Sequence, residues 1–137
     1  MKPLCIYIAS RLSAPSKELV NQVGGWSNLT PQNYVLSYIY NMRESIKAAA
    51  KLWEKGHAVF LPAYDFLIYL EIDKVNPTLP YDADNEWIRR CDAILIVNGL
   101  DESKAVRAEL EMAQTHNKKI YYNVDDIPAA TEKFKDE

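Results

Sequence analysis

Short apolar runs alternate with longer amphipathic segments along this 137-residue chain, and this alternation constrains its fold most. The run Leu4–Ala9 is continuously apolar, which is typical of a strand buried on both faces of a parallel sheet. Similar runs begin near His57, Ala93 and Lys119, and helical patterns separate them. We therefore predict one α/β domain over residues 1–137, with a three-layer parallel sheet of four or five strands and helices on both faces.

The longest helix is predicted to begin at Thr30-Pro31 and to end near Lys55, before Gly56. Thr30 supplies a capping hydroxyl, and proline suits the first helical position. Apolar residues recur along this helix every three or four positions, so they should form one stripe against the sheet. That stripe comprises Val35, Ile39, Met42, Ile46, Ala49 and Trp53.

The other segments are assigned from shorter patterns. The polar stretch 10–29 is predicted to be a long loop. The segments 34–40 and 64–72 contain more aromatic and apolar residues than a small core needs, so we expect a homo-oligomer. For the segment 64–72, a pocket lid is the other interpretation. Helices are predicted over Asp65–Ile72, Asp82–Cys91, Ser103–Asn117 and Ile127–Phe134, and strands over His57–Leu61, Ala93–Val97 and Lys119–Asn123.

Composition excludes several classes of partner. The net charge is −3, and Lys and Arg form no run longer than two, so a nucleic-acid polymer is not an expected partner. His57 and His116 lack the spacing of metal ligands, and we expect no metal and no cofactor. Cys5 and Cys91 are expected to be reduced thiols. Because the N-terminal apolar run is too short to span a membrane, we expect a cytoplasmic protein without a membrane partner.

Two glutamates in the helix after the third predicted strand differ in their helical neighbours. Glu109 has Ala105 four residues before it and Ala113 four after, so it lies on a small apolar strip. Glu111 has Arg107 four residues before it and fits a solvent-facing position. We predict that Glu109 faces the crevice at the carboxyl ends of the strands, where a pair of carboxylates can cut a glycosidic bond.

Three other polar residues near the third strand have two interpretations each. Asp84 lies near the start of a predicted short helix, so either capping or catalysis is open to it. Asp92 directly precedes the strand, where an aspartate can either cap the turn or have a functional role. Ser103 is a natural N-cap, and its helix N-terminus can also bind an anion.

Four pieces of the chain resemble the nucleoside 2-deoxyribosyltransferase superfamily, which includes the 2′-deoxynucleoside 5′-phosphate N-hydrolases. The match is specific over residues 82–113 and is most similar to short bacterial and phage relatives. The resemblance implies a flavodoxin-like, deoxyribosyltransferase-like sheet. The four pieces are Tyr7-Ile8-Ala9, Asp84-x-x-Trp87 followed by Asp92-Ala93, Ser103-x-Ala105-x-x-x-Glu109-Leu110, and Ala113.

The resemblance also implies roles for individual residues. Glu109 would be the nucleophile at the anomeric carbon, and Asp84 would be the acid/base that serves the leaving nucleobase. The two carboxylates should then approach to roughly 5–7 Å, and their proximity should raise one pKa. The implied substrate-binding residues are Tyr7, Ser10, Arg11, Asp92, Ser103 and Ala105.

The implied function is cleavage or transfer of the N-glycosidic bond of a 2′-deoxynucleoside or its 5′-monophosphate. The chain departs from the family where glycine is usual: Ser10 and Arg11 follow the first strand, and Ala105 follows Ser103 by two residues. These departures favour the alternative function, a non-catalytic module that binds a nucleotide-like small molecule. A purely structural oligomer ranks third.

Overall fold

The computed structural model describes residues 1–12, 15–69, 71–72 and 79–135. Within them it contains a four-stranded sheet and helices, so the predicted α/β class is confirmed. The strands are β1 (Cys5–Ala9), β2 (Ala58–Phe60), β3 (Ala93–Ile96) and β4 (Lys119–Tyr121). The helices are α1 (Lys17–Val23), α2 (Pro31–Glu54), α3 (Asp65–Tyr69), α4 (Leu79–Arg90) and α5 (Lys104–Thr115), with short 3-10 turns at Trp26–Asn28, Pro62–Tyr64 and Val124–Asp126.

The sheet is parallel throughout, with the strand order β2-β1-β3-β4. The central strand is β1, where Ile6 pairs with Val59 on one side and with Ala93 on the other. The chain passes from β1 to β2 in one direction and then returns past β1 to β3. In sheets of this flavodoxin-like order, the ligand crevice lies at that reversal, outside the carboxyl ends of the strands.

Side chains alternate between the two faces of β1 and β3, so each face has its own core. One core packs against α2, and the other packs against α4 and α5. The first contains Ile6, Ile8, Ala48, Leu52, Ala93, Leu95, Tyr121 and Ile127. The second contains Tyr7, Ala9, Ile88, Cys91, Ile94, Ile96, Val106 and Ala113.

The capping of α2 is confirmed, but the predicted stripe is wrong. The Thr30 hydroxyl accepts a hydrogen bond from the Asn33 amide, and Pro31 is the first helical residue. The buried face consists instead of Ser37, Asn41, Met42, Ser45, Ala48 and Leu52. The reason is that part of the buried face of α2 meets a polar loop and not the apolar core. The Asn41 side chain donates a hydrogen bond to the carbonyl of Leu12, and the hydroxyl groups of Ser45 and Ser10 are hydrogen-bonded to each other. Four of the six predicted residues are exposed on the outside of α2: Val35, Ile39, Ile46 and Trp53.

The predicted long loop over 10–29 contains helix α1. The Ser16 hydroxyl caps α1 by accepting from the Leu19 amide, and the left-handed Gly24 ends the helix. A capping serine followed by a glycine eight residues later is the sequence signal for this helix.

The terminal helix predicted over Ile127–Phe134 is absent. Pro128 has no backbone N–H, and this segment instead bonds to the end of α2 and to the N-terminus. The Ala130 amide donates to the Lys55 carbonyl at 2.8 Å, and the Thr131 amide donates to the Met1 carbonyl at 3.0 Å.

The remaining boundaries agree closely with the sequence. Each strand ends within two residues of its predicted limits, and α4 begins three residues earlier than predicted. Helix α3 ends at Tyr69, short of the predicted Ile72, and residues 73–78 of the predicted loop that follows lie outside the described residues. In the part of the chain that is described, no helix is both long and apolar enough to cross a membrane.

Candidate active site

A pocket of about 430 Å³ opens at the carboxyl end of β1, and we call it the acidic pocket. Its volume lies within the range of small-molecule sites. Helices α2, α4 and α5 and the turn before α3 contribute its walls. The lining residues are Ile8, Ser10, Leu12, Tyr38, Pro62, Asp65, Tyr81, Asp84, Asn85, Ser103, Ala105, Ala108 and Glu109.

Asp84 reaches the acidic pocket from the second turn of α4. Because α4 begins at Leu79, Asp84 is an interior residue of the helix, and its capping interpretation is wrong. The indole of Trp87, one turn later, stacks on Phe60 of β2 at 4.4 Å between ring centroids, and Phe60 stacks on Tyr7 at 5.6 Å. The Asp-x-x-Trp spacing therefore fixes α4 against the sheet with Asp84 toward the pocket.

Helix α5 supplies the second carboxyl group. The Ser103 hydroxyl caps it by accepting from the Val106 amide at 3.2 Å, and Ser103 also lines the acidic pocket. Glu109 lies in the second turn of α5 and is partly buried, whereas Glu111 is exposed. The prediction that these two glutamates face opposite ways is confirmed, and the small side chains of Ala105 and Ala108 leave room in front of Glu109.

Tyr7 lies beneath Glu109 and is completely buried. Among the described residues its hydroxyl has no hydrogen bond of regular geometry, yet it is close enough to the Glu109 carboxyl group to stabilise the ionised form. Burial raises the pKa of Tyr7 well above its usual range, and the charges of Glu109 and Asp84 raise it further. The Tyr7 hydroxyl therefore keeps its proton next to Glu109.

Asp65, the first residue of α3, is a pocket residue that the sequence analysis missed. Asp65 and Asp84 line the same pocket, and their carboxyl groups are close enough to alter each other's pKa as hydrogen-bonding partners. The Tyr38 hydroxyl donates to the Ala63 carbonyl at 3.1 Å and so ties the turn before Asp65 to α2. An acidic residue inside a strongly apolar segment was the available signal.

The three carboxyl groups hold protons more tightly than free side chains do. Burial, then the hydrogen bond and charge of Asp65, and last the charge of Glu109 raise the pKa of Asp84 to about 8. Burial raises the pKa of Glu109 to about 7, with a further contribution from Asp65, while the Tyr7 hydroxyl opposes the rise. The expected effect of Glu109 on the pKa of Asp84 is thus present, but Asp65 affects the pKa of Asp84 more strongly than Glu109 does.

Arg11 lies beside the acidic pocket. Its backbone amide donates to the Asn98 side chain at 2.8 Å, and its guanidinium forms an ion pair with Glu102 at 3.4 Å. This packing requires Gly99, whose φ is +87° and where a Cβ would lie 2.8 Å from the Cβ of Arg11. Arg11 is therefore held by the loop that follows β3.

Asp92 is at the opposite, amino-terminal edge of the sheet. Its carboxylate accepts a hydrogen bond from the Cys5 amide at 2.8 Å and connects the start of β1 with the start of β3. This contact fits the capping interpretation of Asp92, and the structure does not bring Asp92 to the acidic pocket. The implied substrate-binding residues that do line the pocket are Ser10, Ser103 and Ala105.

The pocket offers one carboxyl group that ionises near neutrality and another that keeps its proton to higher pH. Such a pair can provide a nucleophile and an acid. Among the described residues, no group of three or more acidic, histidine or cysteine side chains is arranged to hold a metal ion.

Comparison with known proteins adds a family and a fold. A solved 2-deoxyribosyltransferase from the psychrotolerant bacterium Bacillus psychrosaccharolyticus superposes with a TM-score of 0.52 and 16% identity, over 96% of this chain and 86% of that one. The resemblance predicted from the motifs is thus confirmed at the level of the fold. No curated protein matches the chain. A family described as a domain of unknown function, DUF4406, matches residues 37–122. Since that match spans more than half of the sequence, the chain belongs to the DUF4406 family.

Proposed function

We propose that this protein cleaves or transfers the N-glycosidic bond of a 2′-deoxynucleoside or its 5′-monophosphate through a covalent glycosyl-Glu109 intermediate. One observation carries the proposal: Asp84 and Glu109, which are remote in sequence, line the same small pocket. The fold shared with a 2-deoxyribosyltransferase is consistent with it. We expect roughly 5–7 Å between the two carboxyl groups across the pocket, close to the separation in retaining glycosidases.

In the first step, an ionised Glu109 oxygen attacks the anomeric carbon and forms an ester bond. The bond from that carbon to the nucleobase nitrogen breaks, and its electron pair leaves with the base. The proton of Asp84 passes to the departing base and neutralises it. The missing 2′-hydroxyl of the sugar favours this step, because the anomeric carbon becomes positively charged in the transition state.

In the second step, water or a second nucleobase attacks the anomeric carbon from the side that the first base left. Asp84, now a carboxylate, accepts the proton of the attacking group. The ester bond breaks and Glu109 leaves as a carboxylate, so the protein returns to its starting state. Water as the acceptor makes the protein a hydrolase, and a base makes it a transferase.

The neutral polar groups of the pocket suit the sugar. Ser10 and Ser103 present hydroxyl groups at the end of β1 and at the start of α5. The Ser10 hydroxyl is hydrogen-bonded to Ser45, so its orientation is fixed by α2. We expect these serines to contact the sugar hydroxyl groups.

The test is a panel of 2′-deoxynucleosides and their 5′-monophosphates, with release of free base measured by chromatography. Addition of a second base distinguishes transfer from hydrolysis. Glu109→Gln should lower the rate by roughly 10³-fold or more, as expected for loss of a nucleophile. The matched control is Glu111→Gln on the exposed face of the same helix, which should retain activity.

The intermediate is tested separately by intact-protein mass spectrometry after rapid acid quench. A mass increase of one deoxyribosyl group on wild type, absent from Glu109→Gln, supports the covalent step. Cleavage by Glu109→Gln at the wild-type rate would contradict the proposed nucleophile. If wild type binds members of the panel but releases no base from any of them, the binding-module function replaces the enzymatic one.

A further inference from the structure

Asp65 is the one carboxyl group of the acidic pocket that the two proposed steps leave without a role. It lies at the start of α3, is partly buried, and faces Asp84. It also lines the groove that separates α2 from α3, so its side chain stands at the boundary between an apolar surface and the pocket. Among the described residues, Asp65 forms no ion pair that would compensate its charge.

A hydrogen bond between two carboxyl groups requires a proton, because two carboxylates have no hydrogen to share and repel each other. Because Asp65 and Asp84 line the same pocket, we expect the pair to share one proton near neutral pH. The hydrogen bond raises the pKa of Asp84 and lowers that of Asp65, although burial raises the pKa of Asp65 as a whole. The directions of these effects assign the donor role to Asp84 and the acceptor role to Asp65.

We propose that Asp65 is a positioning residue that holds the proton on Asp84 until the base departs and drives its recovery afterwards. This inference rests on the proposed function and deepens it. Once Asp84 has given its proton to the base, two carboxylates face each other. Their repulsion makes Asp84 a stronger base toward the water or base that attacks next, and its proton restores the pair.

The surroundings of Asp84 support this assignment. The titratable groups that line or underlie the same pocket are Asp65 from α3, Glu109 from α5, Tyr7 from β1, Tyr38 from α2 and Tyr81 from α4 itself. Of the neighbouring groups that raise the pKa of Asp84, Asp65 has a larger effect than Glu109. The tie between Tyr38 and Ala63 keeps the turn that precedes Asp65 in place.

The decisive variant is Asp65→Asn, which keeps the size of the side chain. Its amide donates to Asp84 and stabilises the carboxylate, so Asp84 should lose its proton at lower pH. We expect the alkaline limb of the kcat/KM profile to move down by about one pH unit or more, while the acid limb moves less. Asp65→Glu, which keeps a carboxyl group, should leave the alkaline limb of the kcat/KM profile at a pH between those of Asp65→Asn and wild type. Asp82→Asn removes an exposed charge from the same helix as Asp84 and should leave the limb in place.

A second readout does not depend on activity. Carboxyl ¹³C NMR titration of the Glu109→Gln protein follows Asp84 directly, with and without Asp65→Asn. A lower Asp84 midpoint in the double variant supports the inference even if the panel shows no glycosidic cleavage, so the two proposals fail separately. An Asp84 midpoint unchanged by Asp65→Asn would overturn it. If Asp65→Asn does not fold, the single-variant titration decides: Asp65 and Asp84 must titrate in two coupled steps, and independent titration would overturn the inference.

Discussion

The indole of Trp87 lies nearly parallel to the ring of Phe60, with 16° between their planes. This contact joins α4 to the edge strand β2, one turn after the helix presents Asp84 to the acidic pocket. Aromatic pairs of this kind contribute about 0.5–1.5 kcal/mol beyond the area they bury. The tryptophan of the Asp-x-x-Trp motif therefore acts on the site through the placement of Asp84.

We predict that Trp87→Ala lowers kcat more than it changes KM. Loss of the stack lets α4 shift, and a misplaced acid slows departure of the base. The cost in the free energy of unfolding should be about 1–3 kcal/mol, measured by urea denaturation. Trp26→Ala is the control, because Trp26 is exposed in the 3-10 turn Trp26–Asn28 and does not line the acidic pocket, and it should leave kcat unchanged. Equal activity of Trp87→Ala and wild type would show that the stack does not position Asp84.

The raised pKa of Glu109 predicts a pH-dependent stability difference. In the folded protein its pKa is about 7, above the usual value near 4.3, so folding favours the protonated form. The stability that this group contributes is complete below its unfolded pKa and is lost as pH rises toward 7. Glu109→Gln cannot ionise, so its melting temperature should exceed that of wild type increasingly between pH 4 and 7.

The expected gain in the free energy of unfolding at pH 7.5 is on the order of 3 kcal/mol, because the pKa rises from 4.5 to about 7 and one pKa unit corresponds to about 1.36 kcal/mol. Differential scanning calorimetry across this pH range measures it. Glu111→Gln, which alters an exposed carboxylate, should show a difference that does not grow with pH. A constant offset for Glu109→Gln would mean that Glu109 titrates normally in the folded protein.

The ion pair between Arg11 and Glu102 predicts a preference for an uncharged substrate. Ser10 and Ser103, the neighbours of these two residues, line a pocket that already holds three carboxyl groups. An added 5′-phosphate meets negative charge there, and the guanidinium of Arg11 is occupied by Glu102. Wild type should therefore process the 2′-deoxynucleoside with a higher kcat/KM than its monophosphate.

Glu102→Gln removes one negative charge and releases Arg11, so the monophosphate should gain relative to the nucleoside by about tenfold, or 1.4 kcal/mol. Steady-state kinetics on both substrates measures the ratio. Asp101→Asn removes a neighbouring exposed charge without releasing Arg11 and should change the ratio less. An equal effect of both variants would mean that net charge, not the ion pair, sets the preference.

The sequence predicts the sheet and part of the site for identifiable reasons. Continuous apolar runs occur where strands are buried on both faces, and the neighbours of Glu109 along one helix are local information. Asp65 is different, because its meeting with Asp84 depends on how α3 and α4 pack at the end of β1. Asp92 shows the converse: its position before β3 matches a motif, but the strand direction puts it at the other edge of the sheet.

Apolar periodicity alone does not say which surface an apolar stripe covers, and on α2 most of the stripe lies on the outside of the helix. The buried side carries Ser37, Asn41 and Ser45, which meet the polar loop beside the acidic pocket. The apolar residues on the outside are 59% exposed at Val35, 50% at Ile39 and 72% at Trp53. A monomer rarely presents such a row to water, so the same residues that mislead a prediction of the core indicate an interface.

We predict that a second copy of this chain covers the outside of α2. Ile46 and Trp53 continue from that row into a groove of about 620 Å³ between α2 and α3, which is lined mainly by apolar side chains. Light scattering at micromolar concentration should give at least twice the 15.7 kDa chain mass.

Ile39→Glu places a charge in this surface and should convert the assembly to monomers, with circular dichroism showing that the helices persist. Lys47→Glu, on the exposed polar side of α2, should leave the assembly intact. A wild-type mass equal to one chain would contradict the interface.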